Sequence, residues 1–238
     1  MTKFRDIEQA LARCGLHVRG GFPITGEDSV PAISFPANAP GTRARSLLLV
    51  GNIGGSMWPY FSAARAALGS DPDPLDRWSR QVVDPIAEQF GAAALYPFGG
   101  PPWHPFQRWA ERAEPVHVSP LMILIHPVFG LWHAYRAALV FAEDMNLPEH
   151  GPVPSPCGAC PDKPCLAVCP VDAFDSGLSG SRYDVALCAR HVNGSGGSDC
   201  RENGCLARRA CPIGRSYAYP ADEMAFHMAA FLAKRGSL

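Results

Sequence analysis

The sequence predicts an α+β core followed by a loop-rich, cysteine-dense module, and three observations carry that reading. Apolar strand-like runs alternate with helix-period stretches through the first 150 residues, as in Ser46–Val50 and the Leu75, Trp78, Val82, Ile86 stripe. Four prolines between Pro148 and Pro156 mark a linker. Eight of the nine cysteines then crowd between Cys157 and Pro212. The expected organisation is a core over 1–150, a cysteine module over 151–220, and a C-terminal helix over 221–238 packing on the core.

Within the core, Phe4, Ile7, Leu11 and Cys14 share one helical stripe that Gly15 ends. Cys14 reads as a small buried hydrophobe. Residues 20–45, rich in Gly, Pro and Ala, read as an irregular connection, and Ser46–Val50 as a buried strand. Gly54-Gly55 leads into a helix over about 56–68; without G-x-G-x-x-G or a Walker lysine it reads as a turn and not a phosphate loop. Asp73-Pro74 opens the next helix, with a kink or break expected at Pro85. Ala92–Tyr96 is the following strand. It runs into Pro97–Pro105, a stiff loop that is either one wall of a planar-ligand pocket or a plain connection. Leu121–Ile125 and Leu131–Phe141 are expected to pair as a hairpin around His126–Gly130. Met224, Met228, Phe231 and Leu232 form the stripe of the final helix.

Composition narrows the function. The 238 residues can bury one core and carry a small second module. A net charge of −1 gives no electrostatic footprint for nucleic acid. Leu121–Ala142 is long enough to span a bilayer, but Pro127, Gly130, two histidines and Arg136 interrupt it, so no membrane span is expected. The N-terminus MTKFRDIEQALARCG has no apolar leader, and clustered cysteines favour a reducing compartment; a cytoplasmic location is expected.

The cysteines carry the strongest signal. Cys157, Cys160, Cys165 and Cys169 are followed by Pro170; Cys188 stands alone; Cys200, Cys205 and Cys211 are followed by Pro212. The first group differs from the bacterial ferredoxin run C-x2-C-x2-C-x3-C-P by two extra residues in the middle gap. In that run the fourth cysteine serves the other cluster. Two 4Fe–4S clusters need eight thiolates, and eight are present. The crossed arrangement gives Cys157, Cys160, Cys165 and Cys211 to one cluster and Cys169, Cys188, Cys200 and Cys205 to the other. Zinc with four close ligands, or disulfides, are the competing readings of the same residues.

Two resemblances converge on one further cofactor. Residues 47–142, through Asp73-Pro74-Leu75-Asp76 and the segment Ile125-His126-Pro127-Val128-Phe129-Gly130-Leu131-Trp132-His133-Ala134-Tyr135-Arg136, resemble the CblC-type cobalamin-processing proteins. That resemblance implies a nitroreductase-like α+β core and a corrinoid pocket at Phe98, Trp103, His126, Phe129, Gly130, Trp132, Tyr135 and Arg136. The aromatics would supply walls, and His126 would ligate cobalt or bind a side amide. Arg136, a charge in an apolar strand, needs a carboxylate partner or an anionic ligand, and the resemblance favours the ligand. The cysteine half resembles epoxyqueuosine reductase and the reductive dehalogenases, which couple two clusters to cobalamin; Tyr183-Asp184-Val185-Ala186-Leu187-Cys188 is similar to their lone-cysteine segment. Epoxyqueuosine reductases are longer and use an acidic catalytic residue with no counterpart found here, and CblC proteins lack clusters.

The expected function is an iron–sulfur oxidoreductase that binds cobalamin and passes electrons to its cobalt, removing the upper axial ligand. A ferredoxin-type electron carrier docking a partner, or a flavin-dependent reductase using FMN, are the other readings. The implied partners are a corrinoid and a low-potential donor such as a ferredoxin, flavodoxin or reductase, with a homodimer also consistent. No catalytic side chain is assigned.

Overall fold

The computed structural model describes residues 2–35, 41–69, 71–147, 150–175 and 182–235. Pro148, the first residue of the expected linker, lies outside them, as do parts of the 20–45 connection and the end of the 221–238 segment. The chain runs α1 (Thr2–Ala12), β1 (His17–Pro23), β2 (Ser46–Ile53), α2 (Trp58–Arg65), α3 (Pro74–Gln89), β3 (Ala93–Leu95), α4 (Phe106–Ala113), β4 (His117–Val118) and β5 (Leu124–Ile125). It continues through β6 (His133–Phe141), α5 (Pro164–Ala167), β7 (Phe174–Asp175), β8 (Arg182–Tyr183), α6 (Val185–Asn193), α7 (Ser198–Asn203), α8 (Leu206–Ala210) and α9 (Ala221–Arg235). Contacts divide it into two units: Met1–Pro115 with His133–Pro152, and Val116–Trp132 with Val153–Leu238. Val116–Trp132, expected in the core, thus groups with the cysteine-bearing segment.

The first unit is built on an antiparallel sheet of order β1-β2-β6-β3. β2 and β6 are paired on both sides, and Leu47–Val50 and Ala137–Phe141 are fully buried. That is why both read as continuous apolar runs and not as alternating strands. β1 corrects the expectation of irregular chain at residues 20–23. Gly20, Gly21 and Pro23 are poor strand formers, yet β1 is an edge strand with a register shift between Val18 and Gly21, where such residues are tolerated. α3 runs unbroken through Pro85, contrary to the expected kink or break. The proline is exposed, and burial of Leu75, Trp78, Val83 and Ile86 offsets the one lost backbone bond. Cys14 is half-buried, its thiol donating to the Leu11 carbonyl at 3.1 Å.

The expected hairpin between Leu121–Ile125 and Leu131–Phe141 does not form. β6 pairs with β2 and β3, whereas β5 pairs with β4, through His117↔Ile125 and Val118↔Leu124. An unbroken apolar run carries no pairing register, so adjacency in sequence was a weak guide. Between them, His126 and Gly130 form an isolated antiparallel bridge of their own.

In the second unit, Leu121, Ile125, Leu131, Ala207 and Cys211 make a small core, with Cys157, Cys165, Leu166 and Ile213 packed on it. α6 is capped by Asp184, whose carboxylate accepts from the Leu187 amide at 2.8 Å. α9 packs on α7 and α6 of this unit, so its apolar stripe serves the cysteine-bearing unit and not the expected N-terminal core. Among the described residues no helix is long and apolar enough to cross a membrane.

Candidate functional site

The second unit sorts the eight thiols by short elements. α5 is a single turn: Lys163 in the left-handed region precedes Pro164, which presents Cys165 from the first turn. α8 is five residues long, with Cys205 at its N-cap and Cys211 at its C-cap. Cys157, Cys160, Cys165 and Cys211 line one cleft together with Pro120, Ile125 and Ile213. Burial pushes the Cys157 thiol up, and the nearby Cys211, Cys165 and Cys160 add to the rise. Cys169, Cys188, Cys200 and Cys205 form a second neighbourhood: Cys188 feels Cys169 and Cys200, and Cys205 feels Cys200 and Cys188. Burial takes Cys205 up to about 11. Tyr183, stacked on Phe174 at 4.6 Å, sets its hydroxyl beside Cys188. α8 therefore separates one thiol of each neighbourhood, the topology the crossed spacing requires.

All nine cysteines are free thiols. Among the described residues no three His, Cys, Asp or Glu side chains converge tightly enough to hold one metal ion. A tetrahedral zinc site draws its sulfurs to about 4 Å of each other, from Zn–S bonds of ~2.3 Å. A polynuclear cluster binds each thiolate through a different metal atom and spreads them wider.

The eight residues expected around a corrinoid divide between the units, four in each. In the second unit, His126 Nδ1 accepts from the Val128 and Phe129 amides at 3.0 and 3.3 Å. Its ring stacks on Phe129 at 4.2 Å. With Nδ1 accepting, the ring proton is placed on Nε2. Gly130, at φ +58°, lies where a Cβ would stand 2.0 Å from the Ile213 carbonyl oxygen, so only glycine lets these backbones meet. Trp132 is buried, edge-on to Tyr219 at 5.4 Å.

In the first unit, Phe98 stacks on Tyr96 at 5.1 Å under the Arg80 guanidinium. Trp103 is 66 % exposed, the most open of the large aromatic candidates. Tyr135 and Arg136 are already engaged. The Tyr135 hydroxyl donates to Glu114 at 2.6 Å, and Arg136 pairs with Asp76 at 3.5 Å. The Asp76 carboxylate faces the Arg136 charge.

Two polar networks escaped the sequence reading. Arg19 is buried and forks onto both Glu114 oxygens at 2.9 and 2.8 Å, and also reaches the Asn52 carbonyl at 3.0 Å and His133 Nδ1 at 3.3 Å. Burial pushes the Glu114 carboxyl up while Arg19 and Tyr135 pull it down. In the second unit the Arg208 guanidinium lies over the edge-on Trp132 and Tyr219 rings, 4.6 and 4.5 Å from their centroids. Near it Glu223 is wholly buried, with His227 at 3.7 Å. Arg19 and Glu114 are 95 residues apart, and no local pattern links them.

These elements define a mixed α+β protein with a CblC-like fold. Among solved structures, the chain is similar to a C. elegans B12-trafficking protein CblC, a homologue of human MMACHC. The identity is 14% over 99% of this chain and 93% of that one, with a TM-score of 0.55. It is also similar to an epoxyqueuosine reductase, at 13% identity over 76% of this chain and 52% of that one, TM-score 0.46. The epoxyqueuosine reductase from Bacillus subtilis gives 15% over 75% and 51%, TM-score 0.43. The chain spans about half the length of these reductases. No family model matches the chain, and no curated protein matches it.

Proposed function

We propose that this chain is an iron–sulfur redox protein that binds a corrinoid and delivers electrons to its cobalt, removing the upper axial ligand. One observation carries the reading: eight thiols fall into two neighbourhoods of four in a chain whose fold is CblC-like. Cys157, Cys160, Cys165 and Cys211 would hold one 4Fe–4S group, and Cys169, Cys188, Cys200 and Cys205 the other. Bound there, such groups supply one-electron transfer at low potential, tuned by burial and by hydrogen bonds to sulfur.

The chain's own residues do the rest. The Ala173 amide donates to Cys169 Sγ at 3.4 Å, a bond that favours the reduced, more negative state of whatever the sulfur binds. Cys205 and Cys211 cap the two ends of one five-residue helix, so each group would take a thiolate from opposite ends of the same element. Phe129 stacks on His126 and would hold the plane of that ring. Trp103 and Phe98 are the first-unit aromatics best able to lie against a macrocycle, since Tyr135 is held by Glu114. The fold neighbour's role in B12 trafficking supports a corrinoid over a flavin as the second ligand.

The test is an anaerobic titration of cluster-loaded protein with hydroxocobalamin, read by visible absorption before and after reduction. Saturation near one corrinoid per chain, with Co(II) bands on reduction, is the expected result. Two intact clusters with no corrinoid binding would sink it.

A further inference from the structure

The hairpin β4–β5 has two faces of opposite use. Leu121 and Ile125 point into the small core that carries Cys157, Cys165 and Cys211. On the other side Val118, Met122 and Ile123 are 50, 41 and 40 % exposed. Val153 joins them, 38 % exposed, because the His117 ring bonds its carbonyl at 2.8 Å. Neighbouring apolar side chains left in water beside a built site mark a contact surface, whereas scattered ones do not.

Charge says what kind of partner fits. Residues 116–132 contain no Asp, Glu, Lys or Arg. The other segments around the Cys157 neighbourhood, 150–165 and 205–221, carry Lys163, Arg208, Arg209 and Arg215 against the single acid Asp162. Arg209 is spent on Asp199 and Arg208 on the Leu131 carbonyl. Lys163 and Arg215 remain exposed: Lys163 lines the thiol cleft, and Arg215 opens a short turn four residues after Cys211. An uncharged apolar face flanked by two open cations, directly behind four thiols, is complementary to a small acidic protein that carries electrons.

We propose that the face formed by Val118, Met122, Ile123 and Val153, with Lys163 and Arg215 beside it, is where a small acidic electron-carrier protein docks. It would serve the Cys157, Cys160, Cys165 and Cys211 group, which makes that group the point of electron entry. The inference rests on the function proposed above. At each encounter the reduced carrier loses one electron, the group held by these thiolates gains it, and no bond forms or breaks. Interfaces of this class are small and short-lived, which suits a patch of four side chains.

The experiment uses the full chain with its clusters and compares V118D/I123D and K163E/R215E with the parent. Each protein is reduced anaerobically by dithionite and, separately, by a reduced acidic bacterial ferredoxin. V118D/I123D is expected to keep its iron and its dithionite reduction, and both double variants to need about tenfold more ferredoxin for half-maximal rate. The parent rate should fall with added salt, and K163E/R215E should lose most of that dependence. Ferredoxin rates within twofold of the parent in both variants would overturn the docking surface while leaving the cluster reading intact. So would a V118D/I123D protein whose only change is loss of self-association, which would assign the face to a second copy. A parent protein that binds no iron and shows no cluster absorption after anaerobic reconstitution overturns the underlying function along with the surface.

Discussion

Arg208 donates to the Leu131 carbonyl at 2.6 Å from a helix whose two ends are Cys205 and Cys211. The same guanidinium lies against both the Trp132 and Tyr219 rings, so one side chain joins the His126–Trp132 loop to the helix that carries Cys205 and Cys211 at its ends. Replacing it with Met keeps the stem but loses the charged hydrogen bonds. The expected cost is about 1.5–3 kcal/mol in urea unfolding of the cluster-loaded protein. Lys should restore only part of it, because a point charge cannot both stack and fork.

Gly130 meets Ile213 within the same loop. Gly130→Ala adds a Cβ at a positive φ and against a carbonyl, so the loop has to move. Destabilisation of about 1–3 kcal/mol is expected, together with weaker corrinoid binding in the titration described above. Unchanged corrinoid affinity in a destabilised variant would leave the loop a purely structural role.

The buried Arg19–Glu114 pair predicts an asymmetry. Glu114→Gln leaves the Arg19 charge under-compensated in the sheet unit, at a cost of about 3–5 kcal/mol. Tyr135→Phe removes one bond to a carboxylate that Arg19 still holds, at about 1 kcal/mol. Denaturant titrations of the two variants give the comparison, and equal losses would contradict the ranking.

Glu223 makes stability depend on pH. Burial raises its carboxyl above the ordinary carboxylate range, with His227 and Arg208 opposing and Asp222 adding. Between its unfolded and folded pKa values the folded chain binds more protons than the unfolded one, so stability falls as pH rises through that window and is flat above it. Glu223→Gln should abolish that slope and leave the chain at least as stable at neutral pH. Thermal midpoints measured across the acid range give the answer; a variant with the parent's slope would contradict this assignment.

The crossed thiol assignment has a direct test in iron content. Cys211→Ala and Cys157→Ala, alone or together, should each leave about half the iron, because both serve one group. Cys169→Ala combined with Cys211→Ala should leave almost none. A Cys169, Cys211 double variant with the iron of either single variant would place both thiols in one group.

Much of the site was legible because its information is local. The Cys-x2-Cys spacing, the prolines after Cys169 and Cys211, and the lone Cys188 are short-range patterns, and in the structure Cys157 lies near Cys160, Cys165 and Cys211, and Cys188 near Cys169 and Cys200. Buried strands β2 and β6 were legible for the same reason, as apolar runs. Which strand they pair with was not: Leu121–Ile125 and Leu131–Phe141 lie next to each other in sequence but join different sheets.

The sequence by itself determined that an α+β chain carries eight closely spaced thiols, since residue type, spacing and hydropathy are properties of short segments. Only the tertiary structure decided what the charged and aromatic side chains do. It gave Arg136 to Asp76, Tyr135 to Glu114, the His126 lone pair to two amides, and Val116–Trp132 to the cysteine-bearing unit. The physical reason is that a buried polar group takes its partner from whatever the fold brings within about 3 Å, and that partner can lie anywhere along the chain.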